Sequence, residues 1–142
     1  MLKKLAAILF ACALLIMPGT LHAQESDTLD TPDPDWQLVN TAEAGHTWEL
    51  DRSVIMQRGT GRVAGYREMM PDKSYKLTLA LFSQDHRMAP IMKLSVTADN
   101  TITDRWRAKE EEWTTIEAGT PLDKVYQAVW AAKVTQTLEP KK

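Results

Sequence analysis

The chain has 142 residues, 44% hydrophobic and 25% charged, with a formal net charge of −2. That length suits one domain and excludes a multidomain machine. A polytopic membrane protein is excluded as well, because after residue 23 no run approaches the roughly 18 apolar residues that a spanning helix needs.

Lys3 and Lys4 precede an apolar run of 13 residues, Leu5 to Met17, followed by Pro18-Gly19 and the small-residue site Leu21-His22-Ala23. This is the pattern of a secretory signal peptide, residues 1–23, cleaved near Ala23. A retained anchor does not fit, since so short a run falls below the span of a hydrocarbon core about 30 Å thick. The only cysteine, Cys12, lies inside that run, where Phe10 and the apolar residues that follow fit a lipoprotein signal poorly. The exported chain is therefore expected to carry no disulfide, and packing alone must hold the fold. The expected location is the periplasm, or the outer cell surface or the medium by secretion.

Removal of the signal takes away two lysines and no acid, so the net charge moves from −2 to −4. The excess sits in residues 24–35, where Glu25, Asp27, Asp30, Asp33 and Asp35 occur with two prolines and no base. Such a segment cannot bury enough surface to offset its ordering entropy and reads as a disordered acidic tether. Residues 36–138 form the domain proper, and 139–142 a solvated tail. The domain is near neutral, which argues against nucleic acid as a partner.

From Trp36 onward, short apolar alternations separated by turn residues indicate antiparallel strands. Trp36 to Asn40 is a first strand, and His46, Trp48 and Leu50 share one face of a second. Val54 to Arg58 and Arg62 to Met69 flank Gly59-Thr60-Gly61, a hairpin loop. The same glycines do not make a phosphate loop, since no Gly-Lys-Ser/Thr terminus follows. Tyr75, Leu77, Leu79 and Leu81 line one face of the clearest strand, with Lys76, Thr78, Ala80 and Phe82 opposite, so it is expected to be central. Arg87 to Thr97 carries Met88, Met92, Leu94 and Val96 in alternation, and Pro90 there suggests an edge or a bulge. Thr101 to Arg107 is a further strand. Thr120 as N-cap, Pro121 at the first helical position and Asp123 three residues after the cap open a helix expected to run to about Thr137. Leu122, Val125, Tyr126, Val129 and Trp130 give it an apolar face that must pack on the sheet. The fold class is therefore α+β: one antiparallel sheet of about six strands with a C-terminal helix on one face.

Recognisable chemistry is sparse. After cleavage two histidines remain, His46 and His86, fewer than a metal centre usually needs together with a third ligand. His46 and Glu49 point to opposite faces of a strand. Asp85-His86 lies in a turn without a nucleophile pattern, so His86 reads as a solvated turn residue. No catalytic residue, cofactor site or metal site is assigned, and the chain is expected to be non-enzymatic. Arg105, Arg107 and Lys109 alternate across Trp106 and form a short basic stripe, the candidate protein-binding residues, with Glu110, Glu111 and Glu112 following at once. Five tryptophans suggest a sugar or aromatic platform, but periodicity assigns Trp48 and Trp130 to the core and leaves Trp36, Trp106 and Trp113 open. The methionines, including Met88 and Met92, read as core filling and not as copper ligands.

Four segments occur in an order similar to a known family. They are Asp35-Trp36, Glu49-Leu50-Asp51-Arg52-Ser53-Val54-Ile55, Tyr75-Lys76-Leu77-Thr78-Leu79, and Trp113 to Pro121 leading into the helix. Over residues 35–131 the chain resembles the surface-adhesin protein E family. The resemblance implies an antiparallel sheet crossed by a C-terminal helix, outer-surface display and attachment to a host extracellular or envelope protein. It also implies a cysteine pair at the places held here by Gln84 and Trp130, from which this chain departs. The expected function is an exported, non-enzymatic envelope protein that binds another protein, with homodimerisation along sheet faces as a further possibility. The alternative is a periplasmic small-ligand carrier or envelope accessory protein, with an apolar pocket lined by Trp and Met between helix and sheet.

Overall fold

Eight strands and one helix follow one another in the computed structural model, which describes residues 33–138. They are β1 (Trp36–Glu43), β2 (His46–Arg58), β3 (Gly61–Met69), β4 (Tyr75–Phe82), β5 (Arg87–Val96), β6 (Ile102–Arg107), β7 (Thr114–Thr115), α1 (Pro121–Ala131) and β8 (Gln136–Leu138). Strands β1 to β6 form an antiparallel meander in chain order, β7 adds to β5, and β8 pairs with β2 in parallel. The α+β architecture expected from periodicity is thus the one observed. The signal segment, residues 24–32 of the tether and the tail 139–142 lie outside the described residues. Asp35, assigned to the tether, already belongs to the fold: its N–H donates to Asp51 Oδ1 at 3.0 Å and its carboxylate meets Arg52 at 3.0 Å.

Local chemistry accounts for the turns. Arg58 pairs directly with Gly61, so the β2–β3 hairpin has a two-residue loop, Gly59-Thr60, tighter than the three residues read from the sequence. Gly59 takes φ +59°, and a Cβ on Gly61 would meet the Phe82 carbonyl oxygen at 3.0 Å, so both glycines are needed. Three later turns are tied by a carboxylate two residues from a hydroxyl: Asp72 with Ser74, Asp85 with Ser83 and Asp99 with Thr97.

The largest irregularity is in β2. Leu50 pairs with Tyr66 and Ile55 with Ala64, so four residues, Asp51 to Val54, stand against the single Gly65 of β3. This bulge is held by buried Asp51, whose Oδ1 accepts from the N–H of Asp35, the N–H of Ser53 at 2.9 Å and the Ser53 hydroxyl at 2.6 Å. It divides the outer edge of β2: β1 covers Trp48 and its neighbours, and β8 covers Met56 to Arg58. A second bulge falls where Leu79 and Ala80 of β4 face Met92 and Pro90 of β5, as Pro90 suggested. It breaks the alternation of β5, so Met88 faces the helix while Met92, Leu94 and Val96 face the opposite side.

Both sheet faces carry a core. One cluster contains Met56, Val63, Tyr75, Leu77, Leu79, Leu81, Met92, Leu94 and Val96, flanked by Trp36, Trp113 and Leu138. The other holds Leu50, Ile55, Tyr66, Phe82, Met88 and Ile116 beneath Val125, Tyr126 and Val129 of α1. Since the only helix among the described residues lies on the second cluster, strand ends and connecting segments must cover the first. Arg58 of β2 accordingly reaches Glu111, beyond β6, at 3.7 Å.

The helix ends at Ala131, six residues before the expected Thr137, because Ala132 is extended (ψ 157°) and the chain then joins the free edge of β2. The Thr135 N–H donates to the Ile55 carbonyl at 2.8 Å, and its hydroxyl accepts from the Ile55 N–H at 2.9 Å. No basic residue occupies the last helical turn. Arg62 of β3 serves instead, donating through one guanidinium nitrogen to the carbonyls of Val129, Trp130 and Ala132 at 2.9, 3.2 and 3.0 Å while lying 4.8 Å from the Trp130 ring centre. At the other end the Thr120 hydroxyl accepts from the Asp123 N–H at 3.2 Å, and Asp123 Oδ2 accepts from the Gly119 N–H at 2.9 Å. Asp123 Oδ1 lies 2.7 Å from His86 Nε2. The Gly119 N–H chiefly holds the Asp123 carboxyl below its ordinary range, against the opposing effect of desolvation, and His86 adds to the lowering.

Two outcomes test these helix ends. Arg62→Ala leaves three carbonyls without their shared cation and is expected to cost about 2 kcal/mol, read as a lower urea midpoint, with Arg62→Lys restoring only part. For Asp123, a lowered folded-state pKa means that its stabilisation is fully present above the unfolded value near pH 4 and disappears as pH falls through the folded value. Asp123→Asn removes that component, so its melting temperature should fall less steeply than the parent's below about pH 4. Parallel melting curves for the two proteins would show that the carboxylate contributes nothing.

Candidate functional site

Helix α1 rests on β1, β2 and β3 and leaves the far half of its sheet face open. The ladder register determines what is displayed there. Trp48 of β2, Glu68 of β3, Lys76 of β4, Ser95 of β5 and Asp104 of β6 are successive cross-strand partners and form one row. Tyr66, Thr78, Lys93 and Trp106 form the next. Because facing residues of a ladder point to the same side, nine side chains from five strands converge on a groove of about 370 Å³.

The walls are aromatic and the floor is polar. Trp48 stacks on Tyr66 with ring centres 6.0 Å apart and planes 17° apart, fixing the inner wall. The outer wall is Trp106, 44% exposed on edge strand β6, with the Lys93 ammonium 5.2 Å from its ring centre. Burial pushes the Tyr66 hydroxyl up to about 12, so it remains protonated at any physiological pH. Glu68 is engaged by His46, whose Nε2 lies 2.6 Å from Glu68 Oε2. Asp104 Oδ1 accepts from the Arg105 backbone N–H at 3.0 Å. Lys76 and Lys93 have no carboxylate within ion-pair distance among the described residues.

The basic stripe lies elsewhere. Arg105 and Arg107 pair with Leu94 and Met92 and so belong to the sheet face opposite the groove. Lys109 falls beyond the end of β6, which stops at Arg107. Arg107 and Lys109 meet Trp106, Pro90, Glu110 and Glu112 in a second, shallow depression of about 340 Å³, where the acids offset the bases. Of the tryptophans left open by the sequence, Trp36 packs beneath the Arg67 guanidinium at 4.1 Å and Trp113 lies 5.5 Å from that of Arg87, whereas Trp106 is displayed.

His86 is more than a solvated turn residue. Its φ of +65° aims the ring at α1, where it meets Asp123 and lies 4.2 Å from the Tyr126 ring. Its backbone N–H donates to the Tyr126 hydroxyl at 3.1 Å, and that hydroxyl donates to the Ser83 carbonyl at 2.8 Å. The nearby Ser83 hydroxyl is directed to Asp85, so the pair fastens the β4–β5 turn to the helix. Asp85 itself turns to Arg87, so these adjacent side chains diverge.

His46 and Glu49 occupy opposite faces, as their odd spacing requires: His46 meets Glu68, and Glu49 meets Arg67 at 2.6 Å. Among the described residues no group of three His, Cys, Asp or Glu gathers to hold a metal ion, and no helix is long and apolar enough to cross a membrane. The groove itself was missed from the sequence because strand periodicity gives faces but not register. The available signal was the polar side of β4, Lys76 and Thr78, on a strand whose other side is wholly apolar. Comparison of the chain with protein-family models, curated proteins and solved structures finds no match.

Proposed function

We propose that this chain is an exported, non-enzymatic binding protein of the bacterial cell envelope, of the surface-adhesin protein E type, and that it holds its partner through the groove on the helix-bearing face. The observation that carries this reading is the groove's composition: two aromatic walls, one of them solvent-exposed, around two lysines that have no carboxylate within ion-pair distance among the described residues. Exposed Trp rings beside cations are the side chains that contribute most to recognition surfaces. The resemblance to an adhesin family supports a host extracellular or envelope protein as that partner. A carrier that encloses its cargo between helix and sheet has less support, because Val125, Val129 and Phe82 fill that interface and are each 0% exposed.

Immobilised full chain presented to purified matrix proteins and to solubilised envelope fractions tests the proposal. Trp106→Ala is expected to reduce retention of the partner at least tenfold, and the Arg105/Arg107/Lys109 triple alanine to leave it unchanged. Loss in the triple variant with full retention by Trp106→Ala would move the interface to the opposite face of β6. Absence of any retained macromolecule would overturn the binding function.

A further inference from the structure

We infer that the groove takes an anionic oligosaccharide, with sugar rings stacked on its aromatic walls and a ring carboxylate held between Lys76 and Lys93. The inference rests on the groove being the binding surface and names what it grips on the partner.

Three features select a glycan over a peptide. The floor strands β3, β4 and β5 are laddered on both sides, so their N–H and C=O groups are consumed within the sheet. A peptide lying on this face would bring its own backbone donors and acceptors to a surface with no backbone partners, whereas established strand recognition uses a sheet edge. A pyranose instead presents a flat C–H face suited to an aromatic ring, with hydroxyls at its rim for a short polar side chain such as Ser95.

Charge then selects among glycans. Of the two acids of the groove, Glu68 meets His46 and Asp104 accepts the Arg105 N–H, and among the described residues neither lies within ion-pair distance of Lys76 or Lys93. Lys76 and Lys93 stand on adjacent strands in adjacent rows, a separation that one carboxylate can bridge. Size sets the length. Trp48 and Trp106 are four strands apart, roughly 19 Å along the sheet at about 4.8 Å per strand, so one ring reaches one wall and a chain of several rings reaches both. The groove volume of about 370 Å³ lies within the range of roughly 300–1,000 Å³ common to small-ligand sites.

The test is an NMR titration of the ¹⁵N-labelled full chain, read at the tryptophan indole N–H signals, with four tetrameric probes. These are a hyaluronan tetrasaccharide, tetragalacturonate, the neutral chitotetraose and tetraglutamate. At least one acidic sugar is expected to shift the Trp48 and Trp106 signals, leaving those of Trp36 and Trp130 in place, and to bind at least tenfold more tightly than chitotetraose. Lys76→Met with Lys93→Met should erase that tenfold preference, and Trp106→Ala should weaken binding of acidic and neutral sugars alike. Equal binding of chitotetraose, binding of tetraglutamate as tight as that of the acidic sugars, or no groove shift with either acidic sugar would overturn the inference. If partner retention still depends on Trp106 in that event, the groove remains the binding surface and only its ligand class is wrong. If retention is also indifferent to Trp106, both readings fall together.

Discussion

The carboxylate of Asp51 holds the strand bulge on which the rest of the architecture depends. Its Oδ1 gathers three hydrogen bonds within a buried setting, two from Ser53 and one from the backbone of Asp35. Without the bulged geometry of Asp51 to Val54, Leu50 and Ile55 would lie on opposite sides of β2, because they are an odd number of positions apart. With it, both face α1. The same insertion splits the edge of β2 into an antiparallel half for β1 and a parallel half for β8, so one device places the helix-facing core and both terminal strands. Charge serves structure here: the Asp35 carboxylate pairs with Arg52 at the surface, while Asp51 is buried and accepts three hydrogen bonds at one oxygen.

Much of this fold is legible in the sequence wherever period and punctuation agree. β4 has the bounds that its alternation indicates, and α1 begins where Thr120, Pro121 and Asp123 place it. The sequence reading fails where a residue answers to something distant. The helix stops at Ala131 because β2 offers an unpaired edge some eighty residues upstream, and hydrophobic spacing alone carries Val134 on as if helical. Met88 and Met92 share an apparent period but separate across a bulge that Pro90 only hints at. His86 has no local sign of its partner Asp123, which lies 37 positions away.

The groove illustrates the same limit at the level of function. Each of its residues sits on a strand that periodicity finds, and no two of the strands that supply the floor contribute adjacent sequence positions to it. Only the register converts Glu68, Lys76, Ser95 and Asp104 into one row. The basic stripe was visible for the opposite reason: Arg105 and Arg107 are near in sequence, yet they face away from the groove. Aromatic side chains connect the two regions of the helix-bearing face, running from Trp48 through Tyr66 and Phe82 to Tyr126 and Trp130 with successive ring centres 6.0 to 6.4 Å apart. The inner wall of the groove is thereby anchored in the packing beneath α1, which gives it a fixed geometry, whereas Trp106 on the edge strand stands clear of that packing.

The parallel pairing of β8 with β2 also bears on when the fold can be completed. Thr135 and Ile55 are 80 positions apart, and a ladder between such distant segments must meet a large loop-closure entropy before it gains any stabilisation. Until that ladder closes, the edge of β2 from Met56 to Arg58 has no strand beside it. A chain in which only the first six strands have formed therefore keeps an open strand edge and, before α1 docks, an uncovered apolar face. In that partly folded state the edge would be open to pairing with the edge of a second copy.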